Sequence, residues 1–308
     1  MSRHHPSPSF RPSRLALLLA VSYPCVGWAD GALTLDPVVV TGSRVETRSF
    51  DLPAAIEVVD AARIGADQAR VNASEALAGV PGISVANRQN YAQDLQISSR
   101  GFGARSAFGV RGVRLVADGI PASMPDGQGQ AATFNLDRAE RMEVMRGPMS
   151  AVYGNSAGGV IQLFTREGKG RPSVEGGFSA GSYGSWKADL AADGQAGGVG
   201  YVIDASRFAT EGYRDHSRAE RDQLFAKLSL APSDDGKLTF VASSFRQEAQ
   251  DPLALRWASS RRDPRSVDPS ALQFNTRKSI DQQQGGLNYV HRFGDQRVEV
   301  SAYAGKRA

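Results

Sequence analysis

A literal G-x-S-x-G stands at Gly154-Asn155-Ser156-Ala157-Gly158, with His216 and His291 downstream. In an acyl hydrolase such a serine sits on a sharp strand-to-helix turn, and a histidine takes its proton. Here the next residues, Val160-Ile161-Gln162-Leu163-Phe164-Thr165, are β-branched and aromatic, so they make a strand where the motif needs a helix. An exported serine hydrolase is thus the last of the functional readings, and no catalytic residue is assigned. Gly127-Gln128-Gly129-Gln130-Ala131-Ala132 mimics a dinucleotide fingerprint but follows Met124-Pro125-Asp126, not a strand, and no βαβ unit surrounds it. Asp251, Asp263 and Asp268 lack the spacing of a calcium loop and share their segment with Arg256, Arg261, Arg262 and Arg265. One cysteine, Cys25, and four scattered histidines exclude an internal disulfide and give no thiolate or imidazole metal site. Neither a metal nor a cofactor is expected.

The chemistry that remains is electrostatic. The stretch from Arg138 to Arg166 runs through Met142, Val144 and Arg146-Gly147-Pro148, a half-turn at Ser150–Tyr153, five small positions and the Val160–Thr165 run. It reads as strand, tight turn and strand, a unit that encloses Arg146 and brings backbone close to its neighbours.

The elements that position this unit follow in order. Residues 1–29 read as an export signal: Arg3, Arg11 and Arg14 precede a short apolar core, and Gly27 and Ala29 supply the small residues of a cleavage site. That core is far shorter than the ~18–20 residues that span a bilayer. Residues 30–49 carry the isolated β-branched run Asp36-Pro37-Val38-Val39-Val40-Thr41, either an edge strand of the next domain or a strand offered to a partner. Residues 50–168 read as a compact α+β domain. Its expected strands are Ala54–Val59, Ile83–Val85, Leu95–Gly101 and Val113–Pro121, the last ending in an Asp118-Gly119 turn, with short helices over Ala61–Arg70 and Ala73–Leu77.

From residue 169 the pattern changes to strands of about ten residues that alternate apolar and polar. Val174, Gly176, Phe178 and Ala180 share a face, as do Trp186, Ala188, Leu190 and Ala192. The sets Val199–Ala205, Leu224–Leu230, Leu238–Ser244, Leu287–Tyr289 and Val298–Ala302 continue the alternation. Between them lie Glu175, Lys187, Asp189, Asp204, Lys227 and Glu299. Short turns alternate with long polar loops, Thr210–Arg221 and Glu248–Arg277, which is the rim asymmetry of an outer-membrane barrel; a soluble β-sandwich is the competing reading. About seven strands fit before Ala308, and a sheet left open at that point would expose a strand edge to lipid. The expected fold class is an α+β domain followed by the first strands of a transmembrane antiparallel β-barrel. The barrel continues in a longer chain, or the product is a nonfunctional remnant.

Charge adds little. The net +4 on 308 residues owes much to the leader arginines, so nucleic acid is not an expected partner.

Taken together these residues resemble the TonB-dependent outer-membrane receptors. Asp36–Thr41 is similar to the energy-coupling box, Ile97-Ser98-Ser99-Arg100-Gly101-Phe102 to the arginine-glycine motif of the plug, and Leu115–Pro121 to the plug strand ending in Asp-Gly. The strongest likeness is Arg146-Gly147-Pro148, Tyr153-Gly154 and Gly158–Ile161. The resemblance implies a plug folded inside a barrel of about 22 strands and uptake of a scarce ligand energised through TonB, which would bind Asp36, Pro37, Val38, Val39, Val40 and Thr41. It implies that Arg100 and Arg146 lock the plug to glutamates of later barrel strands. Residues 101–105, 108–113 and 124–130 resemble the branch linked to uptake of pyrroloquinoline quinone. A ligand site at Arg105, Asp126, Gln128 and Gln130 would suit that polar tricarboxylate; otherwise the loop is a solvated turn. Partners on this reading are TonB, a small-molecule ligand, outer-membrane lipid and lipopolysaccharide, and the location is the Gram-negative outer membrane. An uncoupled porin or adhesin is the alternative.

Overall fold

The structure is a computed structural model and describes residues 39–40, 47–48 and 54–308 apart from 67, 108, 125 and 155. The expected export signal, and Asp36, Pro37, Val38 and Thr41 of the expected coupling box, lie outside the described residues. Val39–Val40 (β1) pairs antiparallel with Thr47–Arg48 (β2).

The α+β domain then begins with Ala55–Asp60 (β3) and runs into Ala61–Gly65 (α1), whose first turn is capped by the Asp60 carboxylate accepting from the Arg63 N–H at 2.8 Å. The expected helix to Arg70 stops five residues early. Glu75, in the first turn of Ala73–Leu77 (α2), collects the backbone N–H groups of Arg70, Val71 and Asn72 at 2.6, 3.0 and 2.8 Å, and Arg70 sits at φ 55°. Those donors serve the second helix's entrance and are lost to the first.

Ile83–Ala86 (β4) pairs with Gln96–Ser99 (β5) as a separate two-stranded ribbon. Val113–Ala117 (β6) turns at Asp118-Gly119 into Ile120–Pro121 (β7), and a single 3₁₀ turn, Ala131–Thr133, leads to Ala139–Arg146 (β8). Ser150–Tyr153 (α3) and Gly159–Thr165 (β9) complete the domain. The main sheet has the order β3-β8-β9-β6-β7, with β6 parallel to β9 and the other pairs antiparallel. Its centre is β9, buried along nearly its whole length, with its one buried amide, Gln162, donating to the Tyr153 hydroxyl. Ile161 and Leu163 join Met142, Val144, Leu115, Ile97 and Leu77 in the larger core, while Val160 packs with Met145, Val116 and Tyr153 on the other side. The β8–β9 approach demands glycine at 159: its φ is +125°, and a Cβ there would strike the Met145 carbonyl.

Seven strands follow: Ser173–Ala180 (β10), Trp186–Ala196 (β11), Val199–Thr210 (β12), Ala219–Ser233 (β13), Gly236–Gln250 (β14), Arg277–Phe293 (β15) and Gln296–Arg307 (β16). They form one antiparallel meander in sequence order, with β10 and β16 at its edges. The tight turns at 197–198, 234–235 and 294–295 mark one rim. The other rim carries the loops 181–185, 211–218 and 251–276, the last holding Trp257–Arg262 (α4) and Pro269–Phe274 (α5). Register fixes the faces. Val174, Phe178, Leu190, Ile203, Leu224, Phe240, Leu287, Val298 and Val300 all point away from the α+β domain and are exposed, an apolar band running across the sheet. The intervening positions face that domain and are polar or buried. Among the described residues no helix is long and apolar enough to cross a bilayer; the spanning candidates are these strands.

Candidate functional site

The distinctive chemistry lies where the α+β domain meets the inner face of the wall. The period of two puts Lys187 and Asp189 on the same face of β11, and pairing brings Glu175 of β10 and Asp204 of β12 into one row through Ala191. Opposite them, the segment Asn135-Leu136-Asp137-Arg138 enters β8. Asn135 accepts from the Arg138 backbone N–H at 2.9 Å and donates through Nδ2 to Asp204 at 2.8 Å, which orients the segment. The Arg138 guanidinium then meets three wall carboxylates: Glu175 at 2.7 Å, Asp189 at 3.3 Å and Asp204 at 3.3 Å. Its side chain is 3% exposed and that of Asp204 is 0%, so the pair is cut off from water.

The charges continue in alternation. Arg70 lies 3.4 Å from Asp137 and 3.8 Å from Asp189. Lys187 donates to Asp137 at 2.7 Å and to the carbonyls of Ala69 and Arg70, both at 3.1 Å. Each buried ion thus faces opposite charge and makes at least one hydrogen bond, which offsets the cost of burying it; Arg138 Nε and Asp204 Oδ2 face each other at 3.3 Å as an ion pair without a hydrogen bond. No group of three or more side chains suited to holding a metal occurs among the described residues.

A second cluster sits towards the tight-turn rim. Asp118, held at φ 47° by the Asp-Gly turn, accepts from the Thr165 N–H at 3.0 Å and hydroxyl at 2.8 Å. Lys227 of β13 reaches in to Asp118 at 3.2 Å, the Thr165 carbonyl at 3.0 Å and Glu167 at 2.9 Å, and Lys237 of β14 also lies 2.9 Å from Glu167. Burial pushes the Glu167 carboxyl up, but the charge and hydrogen bond of Lys227, with Lys237 behind them, outweigh it and hold the group at about 2. This cluster fastens the end of β9 to the wall where the chain crosses over. Towards the opposite rim, Arg221 of β13 donates to the Val71 carbonyl and to Gln247, and Lys278 of β15 pairs with Asp94 at 2.6 Å.

The sequence-derived site residues are placed differently. Arg100 and Arg146 come together on either side of Gly82, where an added Cβ would lie 3.7 and 3.6 Å from their stems. Arg100 is exposed; Arg146 is half-buried and donates to the carbonyls of Ala55 and Pro81. Neither meets a carboxylate among the described residues. The enclosed arginine of the 138–166 stretch is therefore Arg138, not Arg146. The signal for it was the polar trio Asn135, Asp137 and Arg138 beside buried Phe134 and Leu136, matching the six charged wall positions that needed partners. Arg105 is exposed. Asp126 pairs with Arg111 at 2.8 Å, and the Gln128 N–H, followed by Arg111, holds its carboxyl below the usual range. Gln128 lies against Gly109, whereas Gln130 is buried, its N–H bonded to the Ala122 carbonyl, and offers nothing to solvent. Ser156 is fully buried and its hydroxyl donates to the Gly154 carbonyl; His216 bonds the Thr276 carbonyl and His291 the Tyr289 hydroxyl. Among the described residues of the apparent elbow, Ser156 bonds neither histidine.

Residues 48–160 match the family model described as TonB-dependent Receptor Plug Domain. They are a TonB-dependent receptor plug domain. The chain is 33% identical over 171 residues to the iron-regulated outer membrane virulence protein of Vibrio cholerae, covering 54% of this chain and 25% of that protein. It is 30% identical over 171 residues to the hemin receptor of Yersinia pestis, covering 52% and 24%. The chain thus spans about a quarter of the length of these relatives. Among solved structures, the unliganded ferric citrate transporter FecA superposes with a TM-score of 0.72 at 23% identity over 89% of this chain and 43% of its own. The ferric yersiniabactin uptake receptor FyuA from Yersinia pestis gives 0.67 at 20% over 82% and 41%. These likenesses carry the fold: a plug followed by an unclosed antiparallel wall. The charge clusters are then plug–wall anchors, with Arg138, Asp137, Asp118 and Asp94 on the plug and Asp189, Asp204, Lys187, Lys227 and Lys278 on the wall.

Proposed function

We propose that this chain belongs to an outer-membrane receptor that takes up a scarce small molecule with energy delivered through TonB. The observation that carries the reading is a plug seated by buried, hydrogen-bonded charges on a wall whose opposite face is an apolar band. That arrangement suits a lumen closed by a removable domain: salt bridges fix its geometry, yet they are weaker as a net bond than an apolar core of similar size. On this reading residues 1–29 direct export, residues 30–49 carry the TonB-binding strand, residues 50–168 are the plug and residues 169–308 begin the barrel. The plug face carrying Arg100 and Arg146 takes glutamates of further barrel strands. Arg256, Arg261, Arg262 and Arg265 on the longest loop meet lipopolysaccharide phosphates.

The ligand is a siderophore or a cofactor such as pyrroloquinoline quinone. Arg105 and Gln128 are the contacts retained from the 101–130 region, because Gln130 is buried and Asp126 is engaged by Arg111. Proline at Val39 removes an N–H from the β1 strand and blocks pairing with a partner strand. In the intact protein Val39→Pro abolishes uptake and leaves ligand binding at the cell surface unchanged; normal uptake by that variant sinks the coupling assignment. Flux that persists after collapse of the proton-motive force would identify an uncoupled porin instead.

A further inference from the structure

Asp251 stands at the exit of β14, where the largest loop begins, and is 8% exposed. Its Oδ1 accepts two hydrogen bonds: from the Leu253 backbone N–H at 3.0 Å, which fixes the first turn of the loop, and from Asn90 Nδ2 of the plug at 2.8 Å. Its Oδ2 accepts from Gln93 Nε2 of the same plug turn. The Asn90 orientation is settled by its own Oδ1, which takes the Ala92 N–H at 3.0 Å, so its amide nitrogen must face the carboxylate. One carboxylate therefore holds the plug turn 87–94 and the root of the 251–276 loop at once.

The loop root is itself a rigid clasp. Asp251 N–H donates to the Thr276 carbonyl at 2.9 Å and the Thr276 hydroxyl returns a bond to the Asp251 carbonyl at 2.6 Å. Leu253 is at φ 55°, a conformation that a leucine adopts when its surroundings impose it. From the neighbouring 211–218 loop, Arg214 donates to the carbonyls of Pro252, Leu253 and Ser266, and His216 bonds the Thr276 carbonyl at 2.9 Å. Displacement of the 254–275 segment is thus passed through Pro252 and Leu253 to the oxygen shared with Asn90. Below this point Tyr91 and Ala92 pack against Ala219 and Ala249 of the wall, and Gln247 donates to the Tyr91 carbonyl at 2.8 Å, so the plug turn has a defined seat to leave.

We infer that Asp251 is a positioning residue that couples the 251–276 loop to the plug turn 87–94, so that rearrangement of the loop by a ligand loosens the plug. The purpose rests on the receptor reading; the coupling itself is measurable with no ligand. Amide hydrogen exchange is followed across residues 87–94 in the intact protein in lipid nanodiscs, with residues 256–265 either native or replaced by a Gly-Ser linker of equal length. With Asp251 present, the linker accelerates exchange at 87–94 by about tenfold or more. In Asp251→Ala, exchange is already fast and the linker adds nothing. If Asp251→Ala does not fold, the plug-side double variant Asn90→Ala with Gln93→Ala supplies the second background and the same result is expected. Lys278→Met, which removes the neighbouring Lys278–Asp94 contact, accelerates exchange but keeps the response to the linker. Equal acceleration by the linker with and without the Asp251 contacts, no response in the native background, or loss of the response in Lys278→Met overturns the assignment. A normal uptake rate for Val39→Pro would refute the TonB reading and leave this coupling standing.

Discussion

Replacing Arg138 by leucine tests the anchor on which the seating of the plug depends. The guanidinium is 3% exposed and lies within 3.3 Å of Asp204 and Asp189, whose side chains are 0% and 7% exposed. Glu175 is half in water and contributes little, because exposed pairs are worth about 0–1 kcal/mol. The cost comes from the two carboxylates left behind: Asp204 keeps only the Asn135 amide, and Asp189 keeps Arg70 at 3.8 Å. Removing one partner of such a buried pair costs about 3–5 kcal/mol, roughly a hundred- to a few-thousand-fold in the equilibrium for local opening. Lysine at the same position restores one charge but not the planar fork that meets three carboxylates, so Arg138→Lys falls between wild type and leucine. Hydrogen exchange at residues 135–146 in the intact protein, with the wall strands as an internal reference, reads the change directly. Arg146→Leu, which loses bonds to two carbonyls, has the smaller effect in that readout. An Arg138→Leu cost below about 1 kcal/mol, well short of the range for a broken buried pair, would refute the reasoning.

Three further perturbations follow from the same geometry. Glu167 titrates at about 2 instead of its usual 4.5; a depressed carboxylate stabilises above its unfolded value and loses that contribution as pH falls. The plug-to-wall crossover therefore weakens between about pH 4.5 and 2, by at most on the order of 3 kcal/mol, and proteolysis or exchange of residues 166–172 against pH shows the transition; Lys227→Met flattens it. Gly159→Ala forces a Cβ onto the Met145 carbonyl at φ +125° and destabilises the plug by about 2–5 kcal/mol, seen as a lowered plug unfolding midpoint; a midpoint equal to wild type contradicts the close β8–β9 approach. Ser156→Ala removes one bond to the Gly154 carbonyl, costs about 1 kcal/mol and leaves the proposed uptake intact, whereas an esterase activity lost in this variant would revive the hydrolase reading.

The alternation from Val174 to Ala302 was enough to determine the faces of all seven wall strands. Side-chain direction in a strand is a local backbone property with a period of two, so apolar positions and charged positions had to part company. For the same reason Glu175, Lys187, Asp189, Asp204, Lys227 and Glu299 had to share the inner face, and the Asp118-Gly119 turn and the β8–β9 pairing followed from local turn chemistry and β propensity. What tertiary structure alone decided is which charges meet. Arg138 stands at the entrance of β8 and Arg146 at its far end, and the polar trio at 135, 137 and 138 marked the first without saying which wall groups would bury it. Burial follows from strand register, which sets Asp204 diagonally across from Asp189, and from the seating of the plug, which brings Arg138 to Glu175 and Asn90 to Asp251 across 37 and 161 residues. Such pairings depend on the summed geometry of every intervening element. A helix expected through Arg70 yielded to the same kind of cause: its last N–H groups were claimed by Glu75, and its carbonyls at 69 and 70 by a lysine more than a hundred residues away.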